Sequence, residues 1–334
     1  MKKKIVLFGA TGNTGIYLAD YLKTHLDENQ YELIAVGRKD TDWFEKAGIT
    51  YKRVDICSAE DFEKLPQENV WAVINMAGIL PAYLSEFDPF KYVDTNIGGG
   101  IRILEYARKS GADRVLYAQT WAEIAAQWGK NEVLSPAMKK DLIYTGDHAF
   151  YAITKSMVVE SMQHYYEEFG LKNFVFRLPN IYLYSPEEFY YVDGVQKPIA
   201  YRYMIEKVRR GEDLELWGDP NAFKDIVYVK DLCQMMFKAL FADVNGGVYH
   251  AGTGVKTTLR EQLEGMIRVF APKEGPTPKL IERPEKPSFV SFVMDIENAK
   301  RDLGYEPQYD YLAYLEDYKK EREAKRFDSL WKKN

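Results

Sequence analysis

The chain has 334 residues, of which 46% are hydrophobic and 28% charged, so we expect a globular protein with one large core or two moderate ones. Its formal net charge of -5 provides no broad positive field, so a nucleic-acid partner is not expected. The apolar stretch after the basic start, Ile5 to Phe8, is too short for a signal sequence, and no later run approaches a membrane span. We therefore expect a cytoplasmic protein without a membrane partner.

Cysteine and histidine are sparse. The two cysteines, Cys57 and Cys233, lie far apart, and the four histidines form no cluster with ligand spacing around them. We predict reduced thiols, no disulfide framework and no metal site.

The first half of the chain alternates short apolar runs with stretches of helical period. In chain order these are KIVLFG, GIYLADYLKTHL, ELIAVG, ITYKRVDI, WAVINMAG, residues 96–109 and RVLYAQ. Strand, helix and strand repeated in this way indicate a parallel sheet that is covered on both faces. We predict an α/β fold built on a Rossmann-type doubly wound parallel sheet.

The second half adds a helix over 151–169, a strand at NFVFRLP and a helix over 200–210, and then becomes less regular. A final helix is predicted over 311–331, with apolar residues on one side and dense mixed charge on the other. We assign residues 1–178, together with about 219–250, to the Rossmann domain. Residues 179–218 and 251–334 are assigned to a smaller, interleaved α/β domain that binds substrate.

A glycine-rich turn lies between the first strand and the first helix. Glycines there let the backbone bend tightly and approach a pyrophosphate, which free N–H groups and the helix dipole then stabilise. The position between strand and helix therefore predicts a dinucleotide cofactor. Its proposed ligands in this turn are Gly9, Thr11, Gly12, Asn13, Thr14 and Gly15.

The end of the second strand bears on the choice of cofactor. Gly37 stands where an acidic residue would accept hydrogen bonds from a ribose 2′-hydroxyl. Arg38 and Lys39 follow, and both could pair with a 2′-phosphate, so NADP is favoured over NAD. The alternative is that both are solvated surface charges.

Tyr151 and Lys155 are four residues apart and share a helix face. Tyr203 and Lys207 have the same spacing, so spacing alone does not choose between the pairs. Tyr151 is favoured because its helix follows a strand whose carboxyl end would lie at the ligand-binding edge of the sheet. A lysine charge beside tyrosine stabilises the phenolate and makes it a usable base.

Two polar residues near this pair have competing interpretations. Thr120 ends the strand RVLYAQT and is placed to hydrogen-bond the substrate oxygen, although its hydroxyl could instead satisfy the backbone. For Asn96, at the start of a helix, capping competes with a role in the active site. The glycines of TNIGGG are interpreted as permitting close helix packing.

These motifs together resemble the extended short-chain dehydrogenase/reductases, the NAD(P)-dependent epimerase/dehydratase family. The motifs are GATGNTG, VDI at 54–56, NMAG at 75–78, TNIGGG, Thr120 and YAITK, and the resemblance continues through RLPNIY, KDIVYVKDL, VYHAGTG and LGYEP. It spans nearly the whole chain. It implies a Rossmann domain with a small C-terminal domain, a nucleotide-sugar substrate bound between them, and a homodimer.

The resemblance also implies roles for individual residues. The family's catalytic residues fall on Thr120, Tyr151 and Lys155. Further cofactor contacts are implied for Arg38, Asp55, Ile56, Met76, Ala77, Gly78, Asn96, Tyr151, Lys155 and Pro179. Substrate contacts are implied for Thr120, Asn180, Lys224 and Arg283.

Departures from the family pattern narrow the reaction. Trp121 and Ala122 replace the acidic pair of sugar 4,6-dehydratases, so dehydration is disfavoured. Lys224 stands where many members have arginine, and a lysine offers no bidentate grip on phosphate. We expect an NAD(P)-dependent epimerase that forms a transient ketone on a nucleotide sugar. The alternatives are an NADPH-dependent reductase of a keto-sugar or another carbonyl, and a non-catalytic nucleotide-binding protein.

Overall fold

The computed structural model of the chain describes residues 1–331. In this part of the chain the strands are β1 (Lys3–Phe8), β2 (Tyr31–Gly37), β3 (Thr50–Arg53), β4 (Val70–Asn75), β5 (Arg114–Thr120), β6 (Val133–Leu134), β7 (Lys172–Leu178), β8 (Ile181–Tyr182), β9 (Phe189–Val192), β10 (Val195–Pro198), β11 (Leu214–Trp217), β12 (Phe223–Lys224), β13 (Val227–Tyr228), β14 (Gly246–His250), β15 (Thr257–Thr258), β16 (Leu280–Arg283) and β17 (Val293–Met294).

The α-helices are α1 (Asn13–His25), α2 (Trp43–Lys46), α3 (Pro89–Tyr92), α4 (Gly99–Lys109), α5 (Ala149–Phe169), α6 (Ala200–Arg209), α7 (Val229–Phe241), α8 (Leu259–Phe270), α9 (Glu297–Leu303), α10 (Tyr311–Ala324) and α11 (Asp328–Trp331). Short 3-10 helices cover Glu60–Lys64, Pro81–Tyr83 and Trp121–Gln127, and a π-helical stretch covers Val93–Gly98.

Seven strands form one parallel sheet in the order β14-β7-β5-β4-β1-β2-β3. The strand order reverses between β1 and β4, and in sheets of this type ligands bind in the crevice outside the carboxyl ends at that point. The predicted α/β Rossmann-type fold is confirmed.

The sheet separates two hydrophobic cores because successive side chains of a strand point to opposite faces. Ile5 and Leu7 of β1 pack in one core, and Val6 and Phe8 pack in the other. An uninterrupted apolar run therefore suits a strand that is buried on both sides, as the sequence analysis expected.

The second half of the chain contributes both to this sheet and to smaller pairings outside it. The strand β14 returns to the edge of the large sheet beside β7, whereas β8, β11, β12 and β16 pair in two-stranded ladders. The domain boundaries assigned from the sequence stay a prediction.

The prediction of one continuous helix over 311–331 was wrong. Lys325 has a left-handed conformation (φ 49°) and ends α10, and a separate turn, α11, follows. The break directs Phe327 and Trp331 against Tyr17 of α1, and the Arg326 carbonyl accepts a hydrogen bond from Trp43 Nε1 (3.2 Å). Burial of these aromatic rings stabilises the bend against the helical preference of the charged sequence around it.

None of the helices within residues 1–331 is both long and apolar enough to span a bilayer. The same residues contain no group of three or more histidine, cysteine or carboxylate side chains placed to hold a metal ion. Cys57 and Cys233 are free thiols.

Of the three glycines of TNIGGG, Gly99 and Gly100 at the start of α4 allow close packing, as predicted, and Gly98 does not need to. A methyl group on Gly99 would lie 2.6 Å from Ile56 Cδ1, and one on Gly100 would lie 2.6 Å from Val158 Cγ2 of α5. A methyl group on Gly98 would meet only the flexible end of Arg102 closely, at 3.1 Å. Gly100 therefore sets how near α4 approaches α5.

We expect Gly100→Ala to lower the free energy of unfolding by about 1–3 kcal/mol, because the added methyl overpacks the α4–α5 contact. Gly98→Ala is the matched control, and helix propensity makes it neutral or stabilising by up to about 1 kcal/mol. Urea unfolding followed by circular dichroism compares the two. Equal stability of both variants would contradict the packing role of Gly100.

Candidate active site

The glycine-rich turn brings β1, α1 and the end of β4 together so closely that side chains are excluded. Gly9 has φ of +80°, and a methyl group there would lie 2.7 Å from Ala77 N. A methyl group on Gly15 would lie 2.1 Å from the Gly9 carbonyl oxygen. The Gly12 N–H donates to that same oxygen at 3.0 Å and closes the turn.

The helix that follows this turn has an open N-terminus. Gly12 occupies the N-cap position without a side-chain cap, and the first turn of α1 contains no acidic residue. Uncapped N–H groups and the positive end of the helix dipole favour a bound anion. The turn therefore fits the pyrophosphate of a dinucleotide, with Gly9, Gly12 and Gly15 allowing its close approach.

Arg38 and Lys39, the two cations that follow β2, have different surroundings. A methyl group on Gly37 would lie 2.6 Å from Thr11 Oγ1, so a larger residue at position 37 would displace Thr11. Both residues are exposed, but Lys39 Nζ donates to the Leu330 carbonyl at 3.0 Å, whereas the Arg38 guanidinium makes no hydrogen bond within residues 1–331. Arg38 is therefore the better placed of the two for a 2′-phosphate.

Tyr151 and Lys155 are buried on α5 beside the strand ends. Lys155 Nζ lies 4.1 Å from the ring centre of Tyr117, and a methyl group on Gly78 would be 3.7 Å from the same nitrogen. Burial lowers the pKa of Lys155 to about 7 and raises the pKa of Tyr151 above its ordinary value. Burial thus opposes the charged form of each group, and an ammonium beside a phenolate would stabilise both.

Asn96 lies inside the π-helical stretch and does not cap a helix, so the capping alternative was wrong. Its Oδ1 accepts from the Ile79 N–H (2.8 Å), and its Nδ2 donates to the Ile79 carbonyl and to Thr154 Oγ1 (both 3.2 Å). Thr154 Oγ1 in turn donates to the Tyr151 carbonyl at 2.9 Å. Asn96 therefore connects the end of β4 to the helix of Tyr151, and direct contact with the cofactor stays a prediction.

Thr120 ends β5, and its Oγ1 accepts a hydrogen bond from the Ala122 N–H at 3.1 Å. This contact with the backbone is the alternative that the sequence analysis left open. It uses the oxygen as an acceptor and leaves the hydroxyl proton available to a substrate oxygen.

Behind Thr120 lies a buried ion pair that the sequence analysis missed. Arg177 Nε donates to Glu123 Oε2 at 2.6 Å, and Gln119 Nε2 donates to Glu123 Oε1 at 3.0 Å. His250 Nε2 lies 3.5 Å from Arg177, and burial, reinforced by that guanidinium, lowers the pKa of His250 to about 4. Glu123, the carboxylate nearest in sequence to Thr120, is therefore engaged in an ion pair with Arg177.

A cavity of about 160 Å³ adjoins this strand edge. Two residues predicted to bind substrate, Asn180 and Lys224, line it together with Trp121, Tyr182, Asp225, Phe289, Val290 and Phe292. Lys224 Nζ lies 4.1 Å from the ring centre of Phe289, and burial lowers the Lys224 pKa. Among the described residues Lys224 has no carboxylate partner within ion-pair distance.

Arg283 lies apart from the residues that line this cavity. It is on β16, where its Nε donates to Glu215 Oε1 at 3.1 Å, and its side chain is 41% exposed. The structure thus brings Asn180 and Lys224 together at this cavity but not Arg283, and the Arg283 contact with substrate stays a prediction.

The remaining predicted cofactor residues lie at strand ends. Asp55 follows β3, where its Oδ1 accepts from the Cys57 N–H at 3.0 Å, and Ile56 is buried against Gly99. Met76 and Ala77 continue β4, and Pro179 is buried immediately after β7. Their contacts with a cofactor stay predictions.

The fold and the site define a class: an α/β nucleotide-cofactor enzyme with a Rossmann-type sheet, a glycine turn and a Tyr–Lys pair at its carboxyl edge. The profile of the NAD dependent epimerase/dehydratase family matches residues 5–252, and the chain belongs to this family.

The chain is similar to proteins that are named for different reactions. The chain is 20% identical over 305 residues to a dTDP-4-dehydro-6-deoxyglucose reductase of Escherichia coli, covering 89% of this chain and 91% of that protein. It is 24% identical over 267 residues to a UDP-glucose 4-epimerase of Rhizobium meliloti, covering 76% and 77%. A crystal structure of UDP-glucose 4-epimerase with UDP-glucose from Thermotoga maritima superposes with a TM-score of 0.74 at 22% identity, over 96% of this chain and 99% of that one.

We expect Glu123→Gln to lower the free energy of unfolding by about 3–5 kcal/mol, because it leaves the buried Arg177 charge without its counter-ion. Glu132 pairs with Lys256 at an exposed position, and Glu132→Gln is expected to cost no more than about 1 kcal/mol. Urea titration of both variants tests the difference. A loss below about 1 kcal/mol for Glu123→Gln would show that the buried pair does not stabilise this segment.

Proposed function

We propose that the protein is an NAD(P)-dependent epimerase that inverts a carbinol centre of a nucleotide-activated sugar through a transient ketone, as a 4-epimerase does. The observation that supports this proposal is the position of Lys155, which shares α5 with Tyr151 and lies beside Tyr117 of β5 and Gly78 after β4. Thr120 and the glycine turn follow the ends of β5 and β1 in the same sheet. The neighbouring Trp121 and Ala122 carry no acid or base, and Glu123 is held by Arg177, so removal of water is not supported.

In the proposed reaction Tyr151 accepts the proton of the sugar hydroxyl while Lys155 stabilises the resulting charge. The nicotinamide, when bound, supplies the chemistry of accepting hydride from the same carbon and returning it. Thr120 donates its free hydroxyl proton to the substrate oxygen and holds it in place. Return of the proton from Tyr151 to the substrate oxygen completes this residue's part of the cycle, and the centre would be inverted if the ketone presented its opposite face to the bound nicotinamide.

The cavity supports a substrate with both anionic and apolar parts. Lys224 brings an ammonium that has no ion-pair partner within residues 1–331, and Trp121, Phe289 and Phe292 bring aromatic surface. Such a lining suits a phosphate beside a flat ring, as in a nucleotide diphosphate. Asn180, which is exposed at the same cavity, offers both a donor and an acceptor to sugar or phosphate oxygens.

A second candidate function is a net NADPH-dependent reduction of a keto-sugar. The exposed Arg38 beside Gly37 favours it, because this pair suits a 2′-phosphate and reductive reactions commonly use NADPH. The same three catalytic residues would serve. We retain NADP as the favoured cofactor, and a homodimer in the cytoplasm as the expected state.

We expect Tyr151→Phe to reduce turnover at least about a thousandfold while nucleotide binding is largely kept, because the phenyl ring fills the same space without an acid–base group. Tyr203→Phe, at the exposed tyrosine of the Tyr203–Lys207 pair of equal spacing, is the matched control and should retain activity. The assay follows interconversion of epimeric UDP-sugars by chromatography, with nucleotide binding measured in parallel. Wild-type activity of Tyr151→Phe would remove this tyrosine from the mechanism.

We expect Arg38→Asp to weaken NADPH relative to NADH by about tenfold or more, because a charge-assisted bond to the 2′-phosphate is replaced by repulsion. Arg210→Asp makes the same charge change at the end of α6 and should leave the ratio unchanged. Fluorescence titration with both nucleotides gives the ratio directly. An unaltered preference in Arg38→Asp would show that Arg38 is only a surface charge.

A further inference from the structure

A segment that we call the strap, residues 183–198, crosses the carboxyl edge of the sheet. At one end Tyr17 of α1 donates its hydroxyl to the Tyr184 carbonyl (2.9 Å). Its far part is the hairpin of β9 and β10, whose turn residue Gly194 lies so near the Ser85 carbonyl that a methyl group would be 2.8 Å from that oxygen. The strap thus joins α1 to the loop that follows β4.

A single buried guanidinium holds the start of the strap through hydrogen bonds. Arg202 of α6 donates to Ser185 Oγ (2.7 Å), to the Glu187 carbonyl (2.5 Å) and to the Leu183 carbonyl (3.3 Å). Its side chain is almost fully buried. The backbone of Glu187 is therefore held in place rather than free in solvent.

The side chain of Glu187 reaches the glycine-rich turn. Asn13 Nδ2 donates to Glu187 Oε2 at 2.6 Å and also lies 3.2 Å from the Tyr83 hydroxyl. Asn13 is the first residue of α1, whose own first turn has no acidic residue. Glu187 therefore supplies, from another part of the chain, the negative charge that a helix N-terminus favours.

The Glu187 carboxylate and the diphosphate of a bound dinucleotide would compete for the N-terminus of α1. The diphosphate of a dinucleotide would approach the same N-terminus, and like charges separated by a few ångströms repel each other more strongly in a cleft than in open water. Glu187 is also close enough to Lys39 to oppose, in part, the lowering of the Lys39 pKa by burial. The carboxylate thus lies between the glycine turn and the end of β2.

We propose that Glu187 tunes the affinity for the cofactor: its carboxylate binds Asn13 when the diphosphate is absent, and it repels the diphosphate when the cofactor binds. Cofactor binding is thereby weaker than it would be with a neutral side chain at position 187, while the cofactor is still retained through the catalytic cycle. This inference rests on the proposed function, because it requires a dinucleotide at the glycine turn. It assigns a role to a residue outside the Tyr–Lys machinery.

The test compares Glu187→Gln with wild type. Glutamine keeps the size of the side chain and an oxygen that can accept from Asn13, and it removes only the charge. Glu188→Gln makes the same change one residue later, where the side chain is exposed and only the backbone carbonyl is hydrogen-bonded, to the Ile199 N–H. Dissociation constants and release rates of NAD⁺ and NADP⁺ are measured at low and at high ionic strength.

We expect Glu187→Gln to bind both nucleotides about threefold or more tightly at low salt, and NADP⁺ to gain more because it carries the additional phosphate. The ratio of the variant's affinity to that of wild type should fall towards one at about 1 M salt, where charges are screened within about 3 Å. Glu188→Gln should match wild type throughout.

Unchanged or weaker binding by Glu187→Gln would overturn the inference, and so would an equal gain in Glu188→Gln, since that would reflect net charge alone. Failure of the wild type to bind either nucleotide is a different result. It would contradict the proposed function itself, so the two failures are distinguishable.

Discussion

The site depends on one steric constraint, the contact between the glycine turn after β1 and the end of β4. The positions of Gly9 and Gly15 leave no room for a methyl group, since Ala77 N and the Gly9 carbonyl would lie 2.7 Å and 2.1 Å from it. This contact lets α1 start directly at the strand end with its N–H groups uncapped. The same close packing forms the anion site and the crevice outside the carboxyl ends of β1 and β4. It also leaves Gly78 where Lys155 approaches it.

The site also depends on the electrostatics of its buried polar groups. Burial is the largest cause that raises the pKa of Tyr151, and it lowers the pKa of Lys155 to about 7, so it opposes the charged form of both groups. The buried Glu123–Arg177 pair supports the segment after Thr120 without adding an acid to the reacting centre. The polar groups near the site therefore include a buried pair, Glu123 and Arg177, that holds the framework, and this agrees with the proposed epimerisation, which needs no acid to remove water.

Local motifs allowed most of the fold, and the elements that carry the candidate site, to be predicted. The buried run of β1, the glycine turn and the helix of Tyr151 are each encoded in a short stretch, and each lies where expected. What could not be predicted depends on contacts between residues far apart in sequence, such as Arg177 with Glu123 and Glu187 with Asn13. The break at Lys325 was missed for a related reason: helical periodicity continues through it, and only the packing of distant aromatic rings stabilises the bend.

The central claim is that the enzyme recycles its cofactor within one catalytic cycle. The most direct measurement is to purify the protein without added nucleotide, denature it, and identify and quantify any released nucleotide by mass spectrometry. We predict NAD⁺ or NADP⁺ at close to one per chain, because a recycling epimerase does not need to exchange its cofactor. An empty protein that then binds NADPH and oxidises it stoichiometrically with a carbonyl substrate would rule out a recycling epimerase and identify a net reductase.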